Sequence, residues 1–542
     1  MKTLLKNGKI VDGSGSEPYF GDILIEDDKI KKIGGSIQDE ADRSIDCTGL
    51  IVSPGFIDVH SHNDWFAARK DNDRFFSPFL EQGITTQVTG NCGFSPFGYD
   101  KDTQYKNLLG SGLFTLGDVD GDTSTLPGFA DAIKTLPLNI VPLYGHMSAR
   151  IGVCGYDSRA LTEYELKHTE DILEQTLTDG AAGISFGLMY EPDRYAPYEE
   201  LKRAAAICAK HGKILTVHIR ANSAASTSYS PPIGGRAHNL RAMDEMAQLI
   251  RETGVKLQNS HLIFVGKSSW KTVDESLSMI NKLNKEGFSY KYDSYSLTYG
   301  ASVITVVLPV WFLALPENKR HGKAAKLRLA FEIGLTKKVL GFNFSDIVIT
   351  WIAEGQESYI GKTVSQIADE WGVSELDAYI KLVELSEGKG RVLMHRYLTK
   401  KIILRLMKDE NCYFMTDAWI EEDGKQNPAC FLCFPLFLQL ARENRFALKD
   451  MIHRMTEMAA ERFMIKDRGL LKEGYFADIT VFDENKVGPG KSEEGKPDGI
   501  RYVVVNGTVV VDNGAFTGKN NEGRLLLQKE EYSVQERCAN GA

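Results

Sequence analysis

Short apolar runs that end in polar, glycine or metal-loving residues recur along the middle of the chain, with amphipathic stretches between them. The runs are Phe56–His62, Thr85–Gly93, Asn139–His146, Ala181–Gly187, Ile214–Arg220, Val255–His261, Tyr290–Ser296 and Asn411–Asp417. Patterns such as Glu199–His211 and Arg241–Glu252 carry helical spacing and fill the gaps. Eight strand–helix units predict an α/β protein built on a (β/α)8 barrel, whose chemistry stands at the C-terminal ends of the strands. The interval between the seventh and eighth runs is roughly double the usual unit. It contains the helical pattern of residues 361–385, so inserted helices are expected around 297–405, placed to form a lid over the barrel mouth.

The two ends of the chain read differently. Ile23–Ile25 and Ile30–Ile33 flank an acidic turn, and Asn7-Gly8 carries a hairpin signal. Near the other end, Ala477–Phe482 precedes Tyr502–Val511, in which Asn506-Gly507 marks a turn. The segment KNGKIVDGSG at the start echoes VNGTVVVDNG near the end. Neither β segment buries a core by itself, so the two are expected to pair into one small domain. The organisation that follows is 1–52 and 466–542 as the two parts of a β domain, with the barrel at 53–465 between them.

Composition narrows the function. Lys and Arg number 64 against 73 Asp and Glu, a formal charge of −9, and no strongly basic run offsets it. Nucleic acid is therefore excluded as a partner. The most apolar stretch, Ala301–Pro316, falls short of the roughly 20 residues a spanning helix needs and is interrupted by Pro309. Residues 1–15 lack the long apolar core of a secretory signal, and eight cysteines without regular spacing make no disulfide framework. These features predict a reduced, cytoplasmic protein that does not engage a membrane.

Chemistry gathers at the run ends. His60 and His62 are two apart after an apolar strand, so alternation directs both to one face. His218 and His261 end two neighbouring strands, which makes four strand-end histidines out of eleven in the chain. Cys92 also ends a strand, between Gly90 and Gly93, which let the backbone crowd a site. A thiolate among imidazoles is a zinc-type ligand set. Asp417 at the last strand supplies a carboxylate in the role of general base.

In order, PGFIDVHSH (54–62), TGNCGFSP (89–96), GISFGLMYEP (183–192), TVHIR (216–220), NSHL (259–262) and TD (416–417) resemble the amidohydrolase superfamily. Within it they resemble the N-acyl-D-amino-acid deacylases, or D-aminoacylases, and the similarity runs through nearly the whole chain, including the tail from Gly469 onward. The resemblance implies a (β/α)8 barrel, a small β-sandwich formed from both chain ends, and zinc-dependent hydrolysis of an N-acyl small molecule. It implies Cys92, His218 and His261 as ligands of a tightly bound zinc. His60 and His62 match a second, weaker site sharing Cys92, and Asp417 matches the catalytic aspartate. GISFG offers no lysine for a carbamylated bridge, in keeping with the cysteine-bridged subtype. His146 and Arg150 match a family GHxxxR segment, and Tyr190, Arg220, Tyr292 and Tyr295 fall where the family lines its pocket.

Three departures touch the substrate. Ile263 stands where family members carry a lysine, Asn427–Phe437 lacks the usual arginine, and the glutamate after the HxR of the fifth strand is missing. Fixed cations supply much of the recognition of a free carboxylate, and Lys267, Arg220 and Arg194 are the candidates to replace them. Two alternatives therefore stand beside the deacylase: an amidohydrolase acting on a cyclic amide or dipeptide-like compound, and a catalytically inactive barrel used for binding. Cys430 and Cys433 form a CxxC within an apolar run, where buried thiols are expected rather than a zinc knuckle.

Overall fold

The computed structural model describes residues 1–528 except 111, 112, 118, 227, 230, 232 and 314. The remainder of the expected segment 466–542 lies outside the described residues.

Strands from both ends of the chain pair in one continuous nine-stranded sheet rather than in two separate ones. The join is Ile51–Pro54, antiparallel to Ile479–Phe482 and parallel to Lys9 and Ile10. Leu5, Ile10, Ile23, Val52, Ile479, Val481 and Val504 pack in a shared core, so each terminal segment supplies what the other lacks. Asn506-Gly507 makes the expected hairpin, with φ of 45° and 84°, the two positive values of a tight turn between right-twisted strands. Asn7-Gly8 does not. Lys2–Ile10 is one strand with a register shift between Leu5 and Gly8, and a Cβ on Gly8 would stand 2.5 Å from Val52 Cγ2. The dipeptide is a bulge that lets this strand pass close to Val52.

The middle of the chain is parallel α/β. Phe56–Asp58, Ile84–Thr89 and Asn139–Pro142 form one parallel sheet. Tyr144–Gly145, Gly183–Gly187, Ile214–His218, Lys256–Asn259, Tyr290–Ser294 and Cys412–Phe414 form another in that spatial order. Main-chain bonds connect the two on both sides. Ala182 donates to the Pro142 carbonyl at 2.8 Å, and Val59 donates to the Phe414 carbonyl at 3.4 Å. These strands are buried on both faces, and so read as apolar runs without alternation.

The insertion differs from the expectation of helices alone. Helices Lys323–Leu340, Val364–Trp371 and Glu375–Leu385 are present, but Gly300–Val303, Ile347–Trp351 and Arg391–Met394 form a three-stranded antiparallel sheet. The β-branched Val303, Ile347, Val348, Ile349 and Val392 carry that preference. Among the described residues, no helix is long and apolar enough to cross a membrane.

Candidate metal centre

Loops at the strand ends bring six side chains together. Cys92 Sγ lies 3.4 Å from His60 Nε2, 3.4 Å from His261 Nε2 and 3.7 Å from His218 Nδ1. Asp417 Oδ1 is 3.3 Å from His60 Nε2 and 3.5 Å from His62 Nε2. The donor atoms of His60, Cys92, His261 and Asp417 all lie within 4.8 Å of one another. The strand preceding His60 ends at Asp58, so the convergence of His60 and His62 does not come from strand alternation. It comes from a laced loop: Ser61 N–H donates to the Val88 carbonyl, Ser61 Oγ to the Ala418 carbonyl, and the His60 carbonyl accepts from Asp417 N–H.

Three of these residues adopt left-handed backbone: Cys92 at φ 54°, His261 at 33° and Asp417 at 49°. Such conformations cost on the order of 1–3 kcal/mol each outside glycine and persist only where the surroundings enforce them. The enforcing contacts are visible. His261 N–H donates to Asp293 Oδ1 at 2.6 Å, and Asp417 N–H donates to the His60 carbonyl at 2.9 Å. Beside Cys92, a Cβ on Gly90 would meet the Leu143 carbonyl at 2.2 Å, so only glycine brings the loop this close to its neighbour.

Burial alone would raise the Cys92 thiol, but His60 and His261 charge and hydrogen bonds from His218 and His261 hold it well below the ordinary thiol range. It is a thiolate. Burial and the neighbouring His261 push His218 down to about 4, leaving a neutral imidazole. Burial works against Asp417 too, yet the His261 and His60 charges lower it, so it stays ionised. For a tetrahedral ion with Zn–N near 2.0–2.1 Å and Zn–S near 2.3 Å, donor separations are about 3.3 Å for N···N or N···O and about 3.6 Å for N···S. The observed separations of 3.3–3.7 Å and the mixed thiolate, imidazole and carboxylate set fit such an ion. Asp293 Oδ1, 3.4 Å behind His60 Nδ1, is placed to orient that ring.

The remaining expected site residues divide. Tyr190 faces a cavity of about 1290 Å³, with its ring 4.7 Å from that of His218. Tyr295 is buried, with its hydroxyl against Gly300 and Asp417 among its charged neighbours. Tyr292 is turned away: Asp293 next to it points at His261, so alternation sends the Tyr292 side chain toward Cys412 and Asp409. His146, Arg150 and Arg220 do not line the cavity. His146 Nδ1 pairs with Asp193 at 2.8 Å, and Arg150 is fully buried against Glu200. Arg220 takes Glu245 through Nε and caps the carbonyls of Arg194 and Ala196. His146 and Arg220 fasten the segment 187–196, which carries Tyr190 and Arg194 to the cavity wall. Cys430 and Cys433 are buried thiols donating to the Trp419 and Met415 carbonyls.

Several contributors were not singled out from sequence. Asp293 sits inside the motif YDSYS, between Tyr292 and Tyr295. Asp58 accepts from Thr416 Oγ1 and from the N–H groups of Thr416 and His60, tying the first run end to the last. Phe114 stacks 5.1 Å from His62, with Trp419 and Trp65 around it, and nothing in its loop sequence marks it.

Profiles of the amidohydrolase family match residues 51–289 and 438–511, together more than half of the chain. The chain belongs to the amidohydrolase family. This amidohydrolase is 28% identical over 535 residues to a D-aminoacylase of Alcaligenes xylosoxydans xylosoxydans, with 97% of each chain covered. It is 27% identical over 534 residues to an N-acyl-D-glutamate deacylase of the same organism, covering 96% of both. Among solved structures it resembles N-acyl-D-glutamate deacylase from Bordetella bronchiseptica, complexed with zinc and a phosphonate inhibitor. That likeness has a TM-score of 0.78 and 25% identity, over 97% of this chain and 99% of the other.

Proposed function

We propose that this amidohydrolase is a zinc-dependent deacylase that hydrolyses the amide bond of N-acyl-D-amino acids, or of similar N-acyl compounds, to a carboxylate and an amine. The observation that carries the reading is the Cys92 thiolate among His60, His218 and His261, with Asp417 beside them. We read the two parallel sheets as one (β/α)8 barrel, interrupted at 297–405, with 1–52 and the described part of 466–542 forming one β domain around the nine-stranded sheet, in place of the two packed sheets of the expected sandwich. The strand order and the Val59–Phe414 bond between first and last strands support this.

In this reading Cys92, His218 and His261 hold the tightly bound zinc, and His60 and His62 form a weaker second site that shares Cys92. When bound, the ion supplies Lewis-acid polarisation of the scissile carbonyl and makes water a stronger acid. Asp417, ionised and on the same side of the cluster as His62, takes the proton of the attacking water and passes it to the leaving amine. Phe114, Trp419 and Trp65 wall the His62 side with aromatic surface and keep bulk water out. Arg194 replaces the cations missing from the family pattern. It lines the cavity, its guanidinium makes no hydrogen bond among the described residues, and its nearest carboxylate, Glu191, is 3.8 Å away.

The test is amine release from paired D and L N-acyl amino acids by zinc-loaded protein, with chelated protein as control. Metal-dependent turnover of the D compounds is expected. A zinc-loaded protein that turns over none of them shifts the reading to a cyclic or dipeptide-like amide. Ile263, buried where the family carries a lysine, is the observation that favours this second reading.

A further inference from the structure

We infer that the acyl group this enzyme accepts is a long alkyl chain, held in the apolar cavity between the strand-end loops and the insertion. The inference rests on the deacylase reading and adds the class of acyl group to it. The cavity, about 1290 Å³, exceeds the roughly 300–1,000 Å³ typical of small-molecule pockets. Met189 and Asn222 line it, and their Sδ and Nδ2 lie 3.3 and 3.2 Å from His218 Nε2, so one side chain separates this part of the cavity from the metal centre.

Much of the wall is hydrocarbon and aromatic, with Val306, Val307, Trp311, Leu340, Phe342 and Met394, while Glu332, Glu384, Glu387 and Lys389 also line it. Val306, Val307 and Trp311 are only partly buried, and their remaining surface is left to a ligand. Cations around the wall are already engaged. Arg320 donates to the Leu313 and Leu315 carbonyls, and Arg328 pairs with Glu332 at 2.8 Å. Among the described residues Arg194, whose guanidinium makes no hydrogen bond and whose Glu191 partner stands 3.8 Å away, is the least engaged cation of this wall and the one we assign to a carboxylate head group. An amino-acid side chain is no larger than that of tryptophan and leaves most of this volume empty, whereas an acyl chain can extend along it.

The path also has an apolar exit. Leu327, Phe331 and Leu335 are spaced by four along the helix Lys323–Leu340, and so share one face. They are 72%, 71% and 38% exposed, and Phe331 and Leu335 also line the cavity. A chain longer than the cavity therefore continues over hydrocarbon instead of meeting a polar stop. Hydrolysis adds water across the amide C–N bond: the acyl carbon gains oxygen and leaves as a fatty carboxylate, and the nitrogen leaves as the amine of the amino acid.

The experiment compares N-acetyl, N-hexanoyl, N-octanoyl and N-dodecanoyl derivatives of one D-amino acid with zinc-loaded full-length protein, below micelle-forming concentrations. Expected is a rise in kcat/KM of roughly three- to fourfold for each buried methylene until the cavity is filled. Val307→Trp, which fills the wall, and Phe331→Ser, an exposed position without a core role, should each lower the dodecanoyl-to-acetyl ratio. Calorimetric titration of dodecanoate and acetate supplies a readout free of turnover, with dodecanoate alone expected to bind. Turnover of the acetyl compound with no gain along the series, and no dodecanoate binding, overturns the inference and leaves the deacylase standing. Dodecanoate binding without turnover of any compound supports the chain site and overturns the deacylase.

Discussion

Asp417 and His60 are joined twice: the Asp417 N–H donates to the His60 carbonyl at 2.9 Å, and Asp417 Oδ1 stands 3.3 Å from His60 Nε2. The main-chain bond holds the aspartate in its left-handed conformation whatever the side chain carries, and asparagine tolerates that region well. Asp417→Asn is therefore expected to fold, to retain zinc and to lose at least about a hundredfold in kcat, since a positioned general base contributes roughly 10²–10⁴. Zinc content and steady-state turnover on the same preparation decide it. A variant with near-normal kcat removes Asp417 from the proton path.

Cys92 is the anionic donor that the three histidines surround. Cys92→Ala leaves imidazoles facing one another without it, while alanine meets the same backbone strain at φ 54° as cysteine does. Loss of second-shell partners alone lowers metal affinity by roughly 10–100-fold, so loss of this ligand should cost at least about tenfold. Zinc remaining after dialysis against metal-free buffer is the measurement. Cys430→Ala, a buried thiol bonded to the Trp419 carbonyl, serves as the control that keeps its zinc. Equal retention by both variants would refute the ligand role.

Arg194 is held by its main chain rather than by its side chain. Asp193 beside it accepts from Gly187 N–H and pairs with His146, while Arg220 caps the Arg194 and Ala196 carbonyls. The backbone is thus fixed while the guanidinium makes no hydrogen bond among the described residues, and a charged hydrogen bond to a substrate carboxylate is worth about 1.5–3 kcal/mol. Arg194→Leu is expected to raise KM for the free acid by roughly ten- to hundredfold and to leave the corresponding methyl ester little changed. Equal effects on acid and ester would point to loop damage in place of carboxylate recognition.

The residues that reach the metal centre were legible where local pattern fixes position. Parallel strands buried on both faces leave apolar runs, and their polar terminators meet at one end, His218 as the last residue of its strand and Cys92, His261 and Asp417 in the loops that follow theirs. His60 and His62 were found by their spacing, although the strand stops at Asp58 and loop hydrogen bonds, not alternation, gather them. Arg150 shows where local pattern stops: its partner Glu200 is 50 residues away, and only the packed fold reveals that the pair is structural. Tyr292 lies on the face away from the cluster because Asp293, its neighbour, accepts from His261 N–H. The antiparallel sheet of the insertion is illegible in the sequence for a similar reason. Its strands Gly300–Val303 and Arg391–Met394 are far apart in sequence, and the pattern between them is largely helical.

Glu421 gives a pH dependence apart from the metal cluster. It is 9% exposed, and burial pushes its carboxyl up from the usual 4.5 to about 7 even though it is paired with Arg391. The unfolded chain releases this proton near 4.5 and the folded chain near 7, so between those values the folded state binds more protons. Stability from this group therefore falls as pH rises through the window, and the penalty is complete above about pH 7. Glu421→Gln keeps an oxygen for Arg391 and carries no proton to lose. Relative to the native protein it should be nearly neutral close to pH 4.5 and gain about 3 kcal/mol by pH 8. Thermal unfolding of both proteins at pH 5, 6, 7 and 8 measures the gap, and every other titrating group cancels in the comparison. A gap that stays constant over that range would mean that Glu421 is ionised throughout, held so by Arg391.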